Sequence, residues 1–347
     1  MANNCIRYPS VPGITTEAWA IGLPSRQLII EATANNIGDT FVNVGARRLV
    51  PGLGSGYVQS LPPENYQHDP AWLEERTALS FDVIYIVGTP WFFRGWATSD
   101  KSKMLARVVE RYPNTPKIML SPGHCVPSVG YGTVYDSPGL GDSDLVNHMD
   151  LIVCRDRYAY DYTSGLSDCA DRVVLAKCAS HAAYLPEDFG NPPQSGSVCV
   201  WMDFASLSGH AGYRAYQALS AITPEQWQSS IDHEATVADA VCVNSARDAE
   251  VYTAKFGRPP DMSHRDPHDY AEWVSHFESM VTSRVHSATI GHSLGLDVRL
   301  LAADTRADTA YLCGVSSYLD LPATETTHTV TSWDDVNDRI LSLRGAR

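Results

Sequence analysis

The chain has 347 residues, 44% of them hydrophobic and 19% charged, with 26 Lys and Arg against 40 Asp and Glu, for a formal net charge of -14. That length suits two domains of roughly 150 residues each, and the composition excludes an intrinsically disordered chain. The acidic balance excludes a general nucleic-acid binder, whose affinity rests on clustered Lys and Arg facing phosphates; any anionic ligand must be held by a few placed groups. The eight cysteines are scattered without a C-x-x-C pair, as expected of buried reduced thiols rather than of disulfides or a zinc site. The N-terminal MANNCIRYPSVPG lacks a basic segment followed by an apolar stretch, and no run approaches the roughly 18 apolar residues of a membrane span. The expectation is a soluble cytoplasmic protein with no cleaved signal, no membrane span and no metal.

In chain order, the first predicted strand is QLIIEAT (27–33). It ends near Thr33, the loop carries Asn35, Asn36 and Gly38, and Asp39 is placed to cap a helix starting at Thr40. In a doubly wound sheet this junction faces the binding crevice; the alternative is a capped helix with no ligand. GLGSG (52–56) lacks the preceding strand of a dinucleotide fingerprint and is expected to be a turn. The strand DVIYIVG (82–88) runs into GTPWFFRGW, whose Trp91, Phe92, Phe93 and Trp96 form either a stacking surface or an aromatic loop packed into its own domain.

A helix over SKMLARVVERY and a strand KIMLSPG (117–123) follow. Asp142-Ser143-Asp144 reads better as loop plus cap than as a D-x-D metal motif. The strand LIVCRD (151–156) ends in Arg155 and Asp156, which presents a guanidinium at a strand's carboxyl end; the alternative is an exposed ion pair of little energetic weight. After VVLAK (173–177), the cluster PEDFGNPPQSGS (186–197) is the expected domain boundary. The second half repeats the rhythm with strands VCVWM (198–202), AVCVN (240–244), SMVTSR (279–284) and DVRLLAA (297–303), and helices over GYRAYQALSAI, ARDAEVYTAKFG and YAEWVSHFESM. His264, His268 and His276 match no zinc spacing. SWDDVNDRILSLR (332–344) reads as a terminal helix capped by Ser332.

Continuous apolar strands alternating with amphipathic helices indicate parallel sheets covered on both faces. The predicted fold is α/β, with two Rossmann-like doubly wound domains facing a cleft: residues 1–190, residues 191–331, and a C-terminal helix over 332–347.

The stretch SRVHSATIGHSLGLDVRLLAAD (283–304) carries two competing chemistries. GHSLG matches the G-x-S-x-G elbow of serine hydrolases, with Ser293 as nucleophile and Asp304 and His328 downstream in the required order. That elbow needs a strand entering the first Gly and a helix leaving it, whereas here a helix is expected before Gly295 and a strand after it. At the other end of the same helix, SMVTSR delivers Ser283, Arg284 and His286 to a strand's carboxyl edge and a helix's first turn, where free N–H groups and the helix dipole favour an anion. Arg supplies a planar fork for carboxylate or phosphate and His a titratable group; a pair of surface or capping residues is the alternative.

Taken in order, the N-x-G-D loop (Asn36-Ile37-Gly38-Asp39), the strand ending in Arg155-Asp156, and the R-x-H helix start (Arg284-Val285-His286) followed by Gly295 and a strand resemble the polysaccharide pyruvyl transferase family over roughly residues 27 to 315. The resemblance implies a glycosyltransferase-B-like architecture with its site in the interdomain cleft, the first domain on the acceptor side and the second on the donor side. It implies transfer of a pyruvyl or enolpyruvyl unit from phosphoenolpyruvate to a sugar or other hydroxylated acceptor, with no cofactor beyond that donor. His286 would then be the general acid/base, with Arg284 and Arg155 holding carboxylate and phosphate and Ser283, Asn36, Gly38 and Asp39 completing the substrate site. Two features depart from the family: the bulky GTPWFFRGW stands where a glycine-rich turn is common, and Arg306, or nothing, replaces a common lysine. A repurposed or non-catalytic member acting on or binding a small metabolite is the main alternative, a serine hydrolase the third. A homo-oligomer is left open.

Overall fold

The computed structural model describes residues 26–31, 37–55, 57–61, 74, 79–88, 90–92, 100–124, 142–166, 168, 170–203, 224–263, 266–301, 306–317 and 328–345. They build two parallel sheets. The first contains β1 (Arg26–Glu31), β2 (Tyr57–Leu61), β3 (Val83–Val87), β5 (Lys117–Leu120), β7 (Leu151–Cys154), β8 (Val173–Ala176) and β15 (Val330–Thr331), in the order β15-β8-β7-β5-β3-β1-β2. The second contains β9 (Ser197–Trp201), β10 (Ala240–Val243), β11 (Met262–Ser263), β12 (Ser279–Thr282), β13 (Asp297–Leu300) and β14 (Ser316–Ser317), in the order β11-β10-β9-β12-β13-β14. A small ribbon, β4 (Pro90–Phe92) with β6 (Gly123–His124), continues from the ends of β3 and β5.

Both sheets carry helices on both faces, and the central strands show it residue by residue, while β13 leaves Asp297 and Arg299 exposed. In the first sheet Leu28, Ile30, Ile84 and Ile86 pack with α2 (Asp100–Arg111), α3 (Asp142–Asn147) and α4 (Arg157–Leu166). Their alternates Ile29, Tyr85 and Val87 pack with α1 (Ile37–Leu49) and α10 (Trp333–Gly345). In the second sheet Cys199, Trp201, Val241 and Val243 face α5 (Pro224–Val237) and α6 (Ala246–Phe256). Val198, Val200, Met280 and Val298 face α7 (Pro267–Val274), α8 (Val285–Ser293) and α9 (Arg306–Leu312). This is the period-two alternation of strands buried on both sides, and the fold is the expected pair of doubly wound domains.

The two domains share a helix. Val42 and Ala46 of α1 belong to the core of the first sheet, while Ile37, Phe41 and Val44 belong to that of the second. Phe41 meets the rings of Tyr184 and Tyr270 at 6.2 and 5.4 Å. Gly45 permits the closest approach: a Cβ there would lie 1.8 Å from the carbonyl oxygen of Ala179, in the 3₁₀ turn Ala179–Ala182.

Several boundaries differ from those the sequence leads one to expect. Helix α1 begins at Ile37, so Gly38 and Asp39 lie inside its first turn and Asp39 is not its cap. The linker holds a 3₁₀ turn, Pro186–Phe189, closed by Gly190 at φ 71°, and an Arg48–Asp188 ion pair ties it to α1. β15 hydrogen-bonds to β8, so residues 330–331 join the first sheet and not the second domain; like α10, they return to the first half because the apolar face of Trp333, Val336 and Ile340 is buried there. Helix α5 lies just beyond the expected helix GYRAYQALSAI, which falls outside the described residues. The five described cysteines, Cys154, Cys178, Cys199, Cys242 and Cys313, are buried and free. Among the described residues no helix is long and apolar enough to cross a membrane.

A Gly45→Ala variant forces its methyl group into backbone, which cannot rotate away as a side chain would. Overpacking of this kind costs about 1–3 kcal/mol; the unfolding free energy from chemical denaturation is expected to fall by an amount at the upper end of that range, and an unchanged value would contradict the shared-helix packing.

Candidate anion site in the interdomain cleft

In each sheet the strand order reverses at one point, where consecutive crossovers leave to opposite sides and open a crevice at the strands' carboxyl ends. In the first sheet that point lies between β1 and β3, and in the second between β9 and β12. A cleft of about 80 Å³ joins the two regions and is lined by Gly38, Asp39, Arg155, Met202, Asn244, Ser283, Arg284, Val285, His286 and Ser287. Six residues singled out in the sequence, Gly38, Asp39, Arg155, Ser283, Arg284 and His286, are therefore brought together from segments more than a hundred positions apart; Asn36 lies outside the described residues.

Arg155 follows β7 and is 2% exposed. Gly123 makes room for it, since a Cβ there would lie 2.3 Å from the Arg155 Nε. Among the described residues its Nε and Nη1 find no hydrogen-bond partner, although a buried guanidinium left unpaired is costly. Next to it Asp156 is fully buried; it accepts hydrogen bonds from the backbone N–H of His124 at 3.0 Å and of Ala159 at 2.7 Å. Arg155 is therefore not an exposed half of a surface pair.

The second domain brings β12 into α8. Arg284 is the N-cap of α8, with extended backbone (φ -96°, ψ 113°) and no side-chain cap, and the start of α8 lines the cleft, where a helix's amino end favours an anion. Its guanidinium is oriented by Asp248 of α6, which accepts from Nη2 at 2.7 Å, from Ser245 Oγ at 2.8 Å and from the Asp203 N–H at 3.2 Å. The Thr282 hydroxyl oxygen accepts from the Arg284 N–H at 2.9 Å. Ser283 Oγ and Asn244 Oδ1 are buried without a partner among the described residues, while Asn244 Nδ2 donates to Ser287 Oγ at 3.1 Å. Unpaired buried polar atoms from both domains thus gather around one cleft, which is the arrangement expected where a polar ligand completes the hydrogen bonding. Among the described residues no group of three or more His, Cys, Asp or Glu is placed to hold a metal ion.

The far end of α8 disposes of the hydrolase elbow. Ser293 sits in the last helical turn and donates to the Thr289 carbonyl at 2.6 Å. Leu296 N–H reaches the Gly291 carbonyl and Gly295 N–H the His292 carbonyl, both at 3.0 Å, with Gly295 at φ 87°; this is a Schellman helix end. His328 pairs with Asp161 at 2.6 Å, in the first domain. Strand, strained turn and helix do not occur in the order a nucleophile elbow requires.

Sequence reasoning missed Met202, Asn244, Val285 and Ser287 in the lining, and Gly123 and Asp248 behind it. Met202 and Asn244 were within reach, because each immediately follows a strand, β9 and β10, and ligands gather at such ends. Gly123 and Asp248 carried no local signal, since their roles arise from contacts 32 and 36 positions away.

No family model matches the chain, and no curated protein matches it. Among solved structures, it is similar to the S. aureus MnaA–UDP co-structure, with 11% identity, a TM-score of 0.49, and coverage of 91% of this chain and 87% of that one. It is also similar to the Methanocaldococcus jannaschii UDP-GlcNAc 2-epimerase in complex with UDP-GlcNAc and UDP, with 7% identity, a TM-score of 0.45, and coverage of 92% and 93%. A third is the UDP-N-acetylglucosamine 2-epimerase from Rickettsia bellii, with 8% identity, a TM-score of 0.45, and coverage of 92% and 96%. Likeness at this level carries no argument about ligand or reaction, which rests on the cleft itself.

Two predictions follow from the groups around Arg155. A Gly123→Ala substitution meets the far end of a flexible side chain and not backbone, so the protein is expected to fold with a nearly unchanged thermal midpoint while its guanidinium is displaced. Hydrogen bonds to charged groups contribute about 1.5–3 kcal/mol, so affinity for inorganic phosphate, measured by calorimetry, is expected to drop by about tenfold or more.

The second concerns pH. Burial drives the His124 imidazole from its ordinary 6.5 down to about 3, so the stability it contributes is complete above pH 6.5 and is lost as pH falls towards 3. Burial pushes the Asp156 carboxyl from 3.8 up to about 7 despite the neighbouring Arg155, so its folded state loses stability as pH rises from 3.8 to 7. The two slopes oppose each other over their common window. His124→Gln leaves the Asp156 slope alone, and unfolding free energy should then decline between pH 4 and 6.5 by up to about 1.4 kcal/mol per pH unit relative to wild type; parallel profiles for the two proteins would rule this out.

Proposed function

We propose that the chain is a sugar-modifying enzyme whose interdomain cleft binds a small anionic donor, and that the reaction is transfer of a pyruvyl or enolpyruvyl unit from phosphoenolpyruvate to a hydroxylated acceptor. The observation that carries the anion site is the buried guanidinium of Arg155, with two N–H-bearing nitrogens unpartnered among the described residues, facing the same cleft as Arg284 and the uncapped start of α8. A donor with a carboxylate and a phosphate close together uses this set: the planar forks of Arg155 and Arg284 bind oxyanions, and helix-end amides add donors without adding net charge. The choice of phosphoenolpyruvate rests on the sequence resemblance.

In this scheme His286, in the first turn of α8, delivers a proton to the donor methylene carbon. The central carbon becomes oxocarbenium-like, and an acceptor hydroxyl attacks it as its own proton passes to a base. Inorganic phosphate then leaves the tetrahedral adduct. Attack by a second acceptor hydroxyl gives a ketal; loss of a methyl proton gives an enol ether and restores the double bond. The Arg pair stabilises the phosphate as its bridging bond breaks.

A bound donor stabilises the folded state by mass action, by about 2.7 kcal/mol at a hundredfold excess over Kd. Phosphoenolpyruvate is therefore expected to raise the thermal midpoint of the wild type, and Arg155→Ala to abolish the rise. His286→Ala is expected to keep the rise while phosphate release with a competent acceptor falls by about 10²–10⁴-fold. Absence of a shift at saturating phosphoenolpyruvate would remove the donor assignment, whereas binding without turnover over a panel of sugars would leave a binding role.

A further inference from the structure

Two residues beyond Arg155 the chain makes a polar contact of three hydrogen bonds between the domains. Arg157 opens α4 in the first domain, and Asp308 lies on α9, in the layer of helices that covers the second sheet. One carboxylate oxygen of Asp308 accepts the Arg157 backbone N–H at 2.7 Å, and the other accepts Nε at 2.8 Å and pairs with Nη2. Asp308 is wholly buried, and its side chain caps a helix that belongs to the other domain. One turn further along α9, the Tyr311 ring lies 5.4 Å from the Arg157 guanidinium carbon, within cation–π range.

We infer that Asp308 is a positioning residue for the anion site: by clasping Arg157 across the domain boundary it fixes the 155–157 segment so that the Arg155 guanidinium projects into the cleft. Within the first domain the segment is held by Asp156, on the His124 and Ala159 amides, and by the space that Gly123 leaves. Those contacts fix height and direction relative to β7 only. The cleft's other wall, Asn244 and Ser283–Ser287, belongs to the second domain, and Asp308 is the carboxylate that references the segment to it. Two guanidinium N–H groups converging on one carboxylate oxygen, with the backbone N–H on the other, specify both distance and orientation, which a point charge does not. The functional consequence rests on the proposal that the cleft holds an anion; the positional one does not.

The test is therefore built with two arms, using the full chain and the near-isosteric Asp308→Asn. In the first, phenylglyoxal modification is followed at Arg155 alone by tandem mass spectrometry. The clasp predicts that the variant is labelled at least about tenfold faster, the scale of coupling between contacting residues, at a temperature where both proteins are folded. Equal rates would overturn the inference. Should Asp308→Asn fail to fold, Arg157→Lys keeps the charge and removes the fork, and the same comparison decides. In the second arm, the affinity for inorganic phosphate is measured for wild type, Asp308→Asn, Arg155→Ala and the double variant. An effect exerted through Arg155 lowers affinity in the wild-type background and leaves the Arg155→Ala background unchanged; equal losses in both would overturn it. If wild type binds no phosphate, the anion assignment fails, while the labelling arm still decides the role of Asp308.

Discussion

Every residue of α1 from Ile37 to Ala46 is buried, and the helix reaches that state by packing against both sheets at once. An ordinary surface helix presents one apolar stripe and leaves the opposite face to water; here Val42 and Ala46 face one core while Ile37, Phe41 and Val44 face the other. The two domains are therefore not spheres joined by a tether. Their separation is set by the diameter of one helix, and the approach at Gly45 fixes it further. The amino end of this helix opens into the cleft, so the same packing that joins the domains also delivers Gly38 and Asp39 to the site.

The anionic ligand proposed for the cleft would be held in this acidic protein by local means. The cleft's cationic groups are the guanidiniums of Arg155 and Arg284, set beside the start of α8, and not a basic surface. Each guanidinium has a buried carboxylate beside it: Asp248 is bonded to Arg284, and Asp156 adjoins Arg155 in sequence. The two carboxylates act differently. Asp248 occupies one edge of the Arg284 fork and sets its orientation, whereas Asp156 accepts from backbone amides and, among the described residues, Arg155 Nε and Nη1 have no hydrogen-bond partner.

Much of this was legible in the sequence because it is written locally. The strands β1, β3, β5, β7, β8, β9, β10, β12 and β13 are apolar runs, and their alternation with helices identified a doubly wound fold. Arg155, Ser283, Arg284 and His286 stood out because strand–helix junctions in such folds face a crevice. The edge strands β11, β14 and β15 were missed because two residues leave too little pattern to separate from loop, and β2 because the polar Gln59 and Ser60 break up its apolar run. The start of α1 was placed three residues late because Asp39 is a good capping residue, and the competing possibility, an acid in the first turn complementing the helix dipole, has the same signature. Asp308 and Gly123 were invisible, because nothing near them in sequence reports that the space beside Arg155 or the amide of Arg157 needs them.

The return of β15 and α10 to the first sheet bears on how the molecule is made. Trp333, Val336 and Ile340 complete a core whose other members include Ile29, Val83 and Ile118, and β15 covers the edge of β8. A chain emerging from the ribosome folds from its amino end, domain by domain, yet here the amino-terminal sheet keeps an apolar face and an unpaired edge until residues 330–340 arrive. The second domain, built from residues 197–317 with α1, Ala183 and Tyr184 completing its core, can collapse first. Nascent chains of this protein should therefore pass through a stage in which the later-made half is compact and the earlier-made half still awaits its closing strand and helix.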